Sequence, residues 1–176
     1  STAPAGGGAW TYITSVTASG ATTIDLTGMD NTYDQYVILA RNFNSSVSSN
    51  NLRGYMYVNG TLDTTGPYTY QVGEITNAYY NLTSSTGASS FSVGTQAIFT
   101  GVSGRLSFQL NFFAARSSTE MANWYGNGVA SSVGTPSHVI NSCTHEVASA
   151  LITGIRLYCT AGTMDGELIL YGIKTS

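Results

Sequence analysis

Charged side chains are scarce in this sequence. Asp, Glu, Lys and Arg make up 9% of its 176 residues, whereas an average soluble domain has about 25%. The net charge is −3 and the six Lys and Arg residues are scattered, so no basic stripe is present to neutralise phosphates, and we expect no nucleic-acid partner. Long apolar runs are missing too. Nothing approaches the roughly 18 consecutive apolar residues of a membrane-spanning helix, and we expect no membrane partner.

Cysteine and histidine are also scarce, with two residues of each. One possible cysteine pair is no disulfide framework, which favours folding in a reducing cytoplasm. Cys143 and His145 are two positions apart on a predicted strand and project from the same face, so they form a possible metal site with Cys159 as a third ligand. The favoured interpretation is that both cysteines are small apolar filler, and we expect no metal and no other cofactor. His138 lies an odd number of positions from His145, which predicts the opposite face of the strand.

Catalytic constellations are missing as well. The segment "GVSGR" (101–105) lacks the spacing of a G-x-S-x-G nucleophile elbow. The nine Asp and Glu residues are dispersed, whereas a glycosidase needs two carboxylates held across a cleft. A lone histidine such as His145 is usually half-buried and hydrogen-bonded rather than catalytic. We expect no catalytic residues, and the sequence predicts a protein that is not an enzyme.

The sequence is rich in glycine, in tyrosine and in short apolar segments. It has 20 Gly and 12 Tyr, and turn signals recur at intervals of about ten to fifteen residues, which is typical of a β-sandwich or barrel. In "RLSFQLNFF" (105–113) apolar and polar residues alternate, so one face belongs to a core and the other meets water. "QYVILARNF" (35–43) and "ELILYGI" (167–173) are apolar on both faces. They are predicted to be central strands, or strands whose outer face meets a partner.

These patterns predict one all-β domain, a single antiparallel β-sandwich over residues 10–176. Pro4 and three consecutive glycines make residues 1–9 a flexible N-terminal arm. Residues 42–51 and 85–90 are predicted to be polar loops. The predicted strands cover residues 10–17, 21–27, 35–43, 52–58, 68–74, 90–99, 105–113, 120–125, 138–147, 151–159 and 167–173.

The aromatic segment "PYTYQVGEITNAYYN" (67–81) is the clearest candidate for a contact surface. It holds Tyr68, Tyr70, Tyr79 and Tyr80 and only one charged residue. Tyrosine gives a large, rigid contact area with a polar tip, which suits protein interfaces and sugar stacking. Ordinary alternation along a strand, with the hydroxyls at the rim of the sheet, explains the same residues equally well.

Both ends of the chain carry motifs of a known group of proteins. An N-terminal "WTYITSVTASGATTIDLTG" leads to "YDQYVILARNF", and "ALITGIRLYCTAGTMDGELILYGI" comes much later. These segments resemble virion proteins of tailed bacteriophages, in which an aromatic-led strand pair precedes a Tyr-Asp-x-Tyr strand and the domain finishes on Gly-x-(apolar)-x-(apolar)-Tyr-Gly-Ile. The resemblance covers residues 9–43 and 150–173. The matching residues are Trp10, Ile24, Gly28, Tyr33, Asp34, Tyr36, Gly166, Leu168, Leu170, Tyr171, Gly172 and Ile173.

The resemblance implies a jelly-roll-like β-sandwich displayed on a virus particle, with two possible uses. The first is a capsid decoration (cement) protein, a viral structural protein that assembles in the host cytoplasm and binds the major capsid protein on the surface of the head. Such a protein gains from being a homo-oligomer, here expected to be a homotrimer, because several weak contacts hold it together. Trp10, Ile169 and Tyr171 join the tyrosines of segment 67–81 as expected subunit or partner contacts. The chain length favours this use.

The second use is a tail-fibre end module, or a receptor-binding module that recognises host surface glycans. In that case Tyr68, Tyr70, Tyr79 and Tyr80 are expected to stack on sugars, with Trp124 and Tyr125 as further rings. A host glycan is therefore the alternative partner.

Overall fold

The computed structural model describes residues 10–47, 50–76, 79–94, 105–113, 121–132, 135–148 and 151–174. These residues form β-strands and turns, and within these ranges there is no helix. The strands are β1 (Thr11–Ala21), β2 (Thr23–Thr27), β3 (Gln35–Ser45), β4 (Leu52–Val58), β5 (Thr61–Asp63), β6 (Tyr68–Ile75), β7 (Tyr80–Ala88), β8 (Phe91–Ser92), β9 (Arg105–Phe113), β10 (Met121–Ser132), β11 (Thr135–Ala148), β12 (Ile152–Cys159) and β13 (Met164–Ile173).

The strands form two antiparallel sheets that pack face to face. The large sheet has eight strands in the order β1-β13-β3-β9-β10-β11-β6-β7. The small sheet has the order β2-β12-β4-β5, and β8 also pairs with β4. The predicted all-β antiparallel sandwich is confirmed, whereas its jelly-roll connectivity stays a prediction.

The core lies between the two sheets and follows from the alternation of apolar residues. In β9, Leu106, Phe108, Leu110 and Phe112 are buried, whereas the residues between them face outward. They share one buried cluster with Met56, Ile155 and Leu157 of the small sheet. Burying each such side chain contributes roughly 1.5–3 kcal/mol, so the two inner faces hold the sheets together.

The strand near the C-terminus, β13, is central rather than peripheral. It pairs with β1 on one side and with β3 on the other. Leu168 and Leu170 point into the core and are fully buried, and Ile169 on the outer face is only 6% exposed. The prediction of a central strand from "ELILYGI" is confirmed.

The hairpin of β10 and β11 is longer than predicted. The predicted strands 120–125 and 138–147 leave the Gly- and Ser-rich residues between them as a loop, but β10 runs to Ser132 and β11 begins at Thr135. The reason is packing. A Cβ atom on Gly128 would lie 2.6 Å from the Cβ of Phe108 on the neighbouring strand. Glycine here permits the close approach of the neighbouring strand, which a sequence pattern cannot distinguish from a turn.

Two predicted loops are also partly wrong. β7 continues through residues 85–88, and β3 continues to Ser45. Gly and Ala, at positions 87 and 88, are weak strand formers, and here the backbone pairing of β7 with β6 outweighs that preference. The predicted arm 1–9 and residues 95–99 of the predicted strand 90–99 lie outside the described residues, and the described part of that strand contains β8.

Candidate functional site

The outer face of the large sheet carries two neighbouring rows of residues that cross all eight strands without a charged side chain. Seven strand spacings of about 4.8 Å make these rows about 34 Å long. We call them the neutral face. The first row contains Tyr12, Tyr171, Val37, Asn111, Tyr125, Ser142, Gln71 and Ser84, and the second contains Ser15, Ile169, Leu39, Gln109, Asn127, Ile140, Gly73 and Leu82.

Several large apolar side chains on this face are open to solvent. Tyr12 is 58% exposed, Tyr125 50% and Leu82 51%. Tyr125 stacks on Phe113 with ring centroids 5.8 Å apart, so the aromatic surface extends beyond the two rows. Depletion of charge together with enrichment in aromatic residues is the composition of the central part of a protein interface.

A shallow depression interrupts the neutral face above Gly73. Its volume is about 190 Å³, and Tyr80, Leu82 and Ile140 are among the residues that line it. A Cβ atom on Gly73 would lie 3.0 Å from Ile140 and 3.3 Å from the ring of Tyr80, so the glycine creates the space. The depression is large enough for one apolar side chain of a partner.

Among the described residues, the charged side chains on the outer face of the large sheet lie at its ends, whereas Glu74 is buried on the inner face of β6. At one end Arg41, Arg105, Asp165 and Glu167 line a polar groove of about 520 Å³. Arg41 and Glu167 form an ion pair at 4.0 Å, and both are largely exposed, so this pair contributes little to stability. At the opposite end the hydroxyl of Thr69 donates to the carboxylate of Glu146. The space between these ends is the neutral face.

The predicted contact residues fall into two groups. Trp10, Tyr79 and Tyr80 are exposed, at 47%, 48% and 58%. The ring of Trp10 lies 5.5 Å from that of Tyr171, and Tyr171 is half-buried on the neutral face beside the nearly buried Ile169. These residues occupy the outer face or its edges, where a partner can reach them.

Tyr68 and Tyr70, in contrast, belong to the core. They are 0% and 5% exposed, because they alternate on the inner face of β6. Trp124, considered for sugar stacking, is 2% exposed and contacts Phe91 and Phe112. The alternative of ordinary strand alternation therefore describes these three rings, and they are not available to a partner.

A hydrogen bond between His145 and Asp63 joins the two sheets. The Nε2 atom of His145 lies 2.8 Å from Oδ2 of Asp63, and His145 is fully buried. Burial acts to raise the pKa of the Asp63 carboxyl, but hydrogen bonds from His145 and Thr65 outweigh it, so the pKa is lowered. The pair explains why a histidine occupies this inner position. His138 faces outward on the same strand, as predicted.

The two cysteines are buried free thiols. Burial raises the pKa of Cys143, so the thiol is protonated at neutral pH and is a poor nucleophile or metal ligand. Cys159 lies at the end of β12 in the other sheet. Among the described residues, no group of three or more His, Cys, Asp or Glu side chains is placed to hold a metal ion.

The outer face of the small sheet holds a polar cluster that no sequence motif indicates. The Nε and Nη2 atoms of Arg156 donate to the two carboxylate oxygens of Asp25 at 2.7 and 2.9 Å, and the hydroxyl of Tyr57 donates to the same carboxylate. The hydrogen bond from Arg156 holds the pKa of Asp25 below its usual value. Asp25 and Arg156 are 131 positions apart, and only the pairing of β2 with β12 brings them together.

Comparison of the chain with protein-family models, with curated proteins and with solved structures finds no match. No helix in the described part of the chain is long and apolar enough to cross a membrane.

Proposed function

We propose that this chain is a non-enzymatic virion protein of a tailed bacteriophage, a capsid decoration protein that binds the major capsid protein and stabilises the head. The neutral face is the observation that carries this proposal. An uncharged face about 34 Å long, with exposed aromatic and aliphatic side chains on β1, β10 and β7, fits a broad protein partner better than a small substrate. The motifs at both ends of the chain resemble those of phage virion proteins, and this resemblance supports a phage particle as the place where the chain acts.

The proposed mode of binding is multivalent. A homo-oligomer, in the simplest case a trimer, places several copies of the neutral face against adjacent capsid subunits. The oligomer binds tightly even if each contact is weak, because the second and third contacts form at high effective concentration. Scarcity of charge suits such a contact, since an unpaired charge buried at an interface costs several kcal/mol.

Electron microscopy of intact virions with a gold-labelled antibody against this chain tests the proposal. Label spread over the capsid lattice is the expected result. Label confined to the tail contradicts the capsid role and supports a tail-fibre or receptor-binding module.

A pair of variants tests the part played by the neutral face. Asn127→Lys introduces a charge into the second row, and Thr23→Lys introduces the same charge on the exposed outer face of β2 in the small sheet. Added to heads that lack this protein, the first variant is expected to bind at least tenfold more weakly (about 1.4 kcal/mol), whereas the second binds normally. Equal occupancy of the two variants contradicts docking through the neutral face.

A further inference from the structure

Nine residues on the outer face of the small sheet form a three-by-three grid. Each row crosses β4, β12 and β2 in register. The rows are Arg53, Tyr158 and Thr23; Tyr55, Arg156 and Asp25; and Tyr57, Gly154 and Thr27. We call this set the tyrosine–arginine grid, and Arg156 is its centre.

Two tyrosines of the grid stack on each other. The rings of Tyr55 and Tyr158 are 4.9 Å apart with an interplanar angle of 12°. The neighbouring Tyr158 raises the pKa of Tyr55. Both residues are half-buried. Stacking of diagonal neighbours fixes the position of two hydroxyls above the sheet.

The third tyrosine lies across the neighbouring strand. Tyr57 pairs with Gly154 on β12, and its hydroxyl lies 2.8 Å from Oδ1 of Asp25 on β2, one strand further on. Two strand spacings are about 9.6 Å, so the side chain reaches Asp25 only if its ring lies along the surface of the sheet. Gly154 has no side chain to obstruct it. Tyr57 is half-buried, so part of its side chain is open to solvent.

The central arginine has donors to spare. A guanidinium has five N–H donors. Arg156 uses Nε and Nη2 to bind Asp25 and the Tyr57 hydroxyl, at 2.7, 2.9 and 3.3 Å. The two N–H groups of Nη1 are not used by these contacts. The carboxylate thus holds the guanidinium in one orientation while part of its donor capacity remains.

Stability is only a partial explanation of this arrangement. Asp25 and Arg156 have side chains that are 38% and 30% exposed, and their bidentate geometry places the pair above the about 0–1 kcal/mol of ordinary surface pairs. The stability of this pair does not explain the stacked tyrosines beside it. The chain has only 15 charged residues, six basic and nine acidic. Three of them, Arg53, Arg156 and Asp25, lie in this one grid. The grid holds the Tyr57 ring, the oriented guanidinium of Arg156 and the hydroxyls of two stacked tyrosines. These groups suit the binding of a ligand, whereas a surface that binds nothing has no need of them.

We propose that the tyrosine–arginine grid binds a saccharide: a pyranose ring lies against the ring of Tyr57, and its hydroxyls bond to Arg156 and to the stacked tyrosines. A sugar ring has an apolar C–H face that packs on an aromatic ring. Its hydroxyls both donate and accept, as tyrosine hydroxyls do, and they accept from a guanidinium. None of the grid residues was a contact candidate from sequence. The site is independent of the proposed capsid role, because a head protein and a tail protein can each carry it.

Saturation-transfer NMR with the full chain tests the proposal. The probes are the methyl glycosides of neutral hexoses, of N-acetylhexosamines and of a hexuronic acid. We expect saturation transfer to the ring protons of at least one probe. Tyr57→Ala removes the stacking surface and is expected to weaken that binding at least tenfold (about 1.4 kcal/mol), whereas Tyr57→Phe retains the ring and most of the binding. Tyr125→Ala removes an exposed tyrosine from the other sheet and leaves binding unchanged.

Thermal unfolding of each variant shows whether it is folded. If Tyr57→Ala does not fold, Arg156→Lys replaces it, because lysine lacks the planar fork that the grid holds in place. The proposal is overturned if no probe binds the wild-type chain, or if a folded Tyr57→Ala or Arg156→Lys variant binds like the wild type. Equal loss in Tyr125→Ala also overturns it, because it places the sugar on the large sheet. None of these outcomes affects the label position on virions that tests the capsid role.

Discussion

Removing one hydroxyl from Tyr68 tests whether this residue is structural. The Tyr68 hydroxyl accepts a hydrogen bond from the backbone N–H of Met56 at 3.0 Å and donates to the backbone carbonyl of Asp63 at 3.0 Å. It therefore links β6 of the large sheet to β4 and β5 of the small sheet. In Tyr68→Phe the ring stays in the core, but the buried N–H of Met56 and the partly buried carbonyl of Asp63 both lose this partner.

The expected loss of stability is about 2 kcal/mol. Leaving a buried donor or acceptor unsatisfied costs about 1–3 kcal/mol, while the ring itself continues to pack. For a domain of this size each kcal/mol lowers the melting temperature by about 2–4 °C, so we expect a decrease of about 4–8 °C by differential scanning calorimetry. A urea titration is expected to show a lower midpoint with an unchanged slope, because the surface exposed on unfolding stays the same.

Tyr70→Phe is the matched control. Tyr70 lies two positions further along β6 and is also buried, but its hydroxyl makes no described hydrogen bond within the residues that the structure covers. Its loss is expected to change the melting temperature by less than about 2 °C. Equal shifts in the two variants, or no shift in Tyr68→Phe, contradict the argument that the hydroxyl of Tyr68 holds the sheets together.

Three further predictions follow from packing, charge and burial. Gly54→Ala is expected to destabilise the fold by about 1–3 kcal/mol in a urea titration, because a Cβ there would lie 2.4 Å from the buried ring of Phe91. Gly94→Ala is the control. Its Cβ would meet its nearest neighbour at 3.6 Å, so its stability is expected to be nearly that of the wild type. Asp63→Asn is expected to cost about 1–3 kcal/mol at neutral pH. The pKa of Asp63 in the folded state is depressed. The wild type is therefore more stable than Asp63→Asn above about pH 4, and this difference in stability shrinks as the pH falls through the folded-state pKa. Urea midpoints of the two proteins that stay equally separated at low pH contradict a stabilising role for the Asp63 carboxylate. Burial raises the pKa of both cysteine thiols, so neither is expected to react with a thiol reagent at mild alkaline pH until the chain unfolds, and rapid labelling of the native protein contradicts this.

The sequence predicts the bounds of a strand where apolar and polar side chains alternate. It does not predict them where backbone pairing or contact with a neighbouring strand determines the structure. β9 was predicted with its correct bounds because Leu and Phe occupy every second position. β7 has mostly small polar side chains, and it is a strand because β6 offers its backbone groups. The extension of β10 past Tyr125 depends on Gly126 and Gly128, which leave space for side chains of β9 and β11. Whether such a glycine marks a turn or a close contact depends on residues that are distant in the chain.

For the candidate surfaces, too, local sequence patterns predict only part of what the structure shows. The sequence pattern does not distinguish buried Trp124 from exposed Tyr125. It does not indicate whether a tyrosine in the segment 67–81 faces the core either, because both faces of β6 hold residues of mixed polarity. Tyr68 and Tyr70 therefore had two equal interpretations, and burial decides for the core. The pairing of Asp25 with Arg156 is beyond any local pattern, since it requires the register of β2 on β12.

The few charged residues are distributed so that the two outer faces of the sandwich differ in chemistry. On the outer face of the large sheet they lie at the ends and leave the neutral face between them. On the small sheet Asp25 and Arg156 stand in the middle of three tyrosines. The two sheets are opposite layers of one sandwich, so a contact that covers the neutral face turns the tyrosine–arginine grid away from it. Docking of the large sheet on a capsid thus leaves the small sheet facing the medium, where a saccharide can reach it.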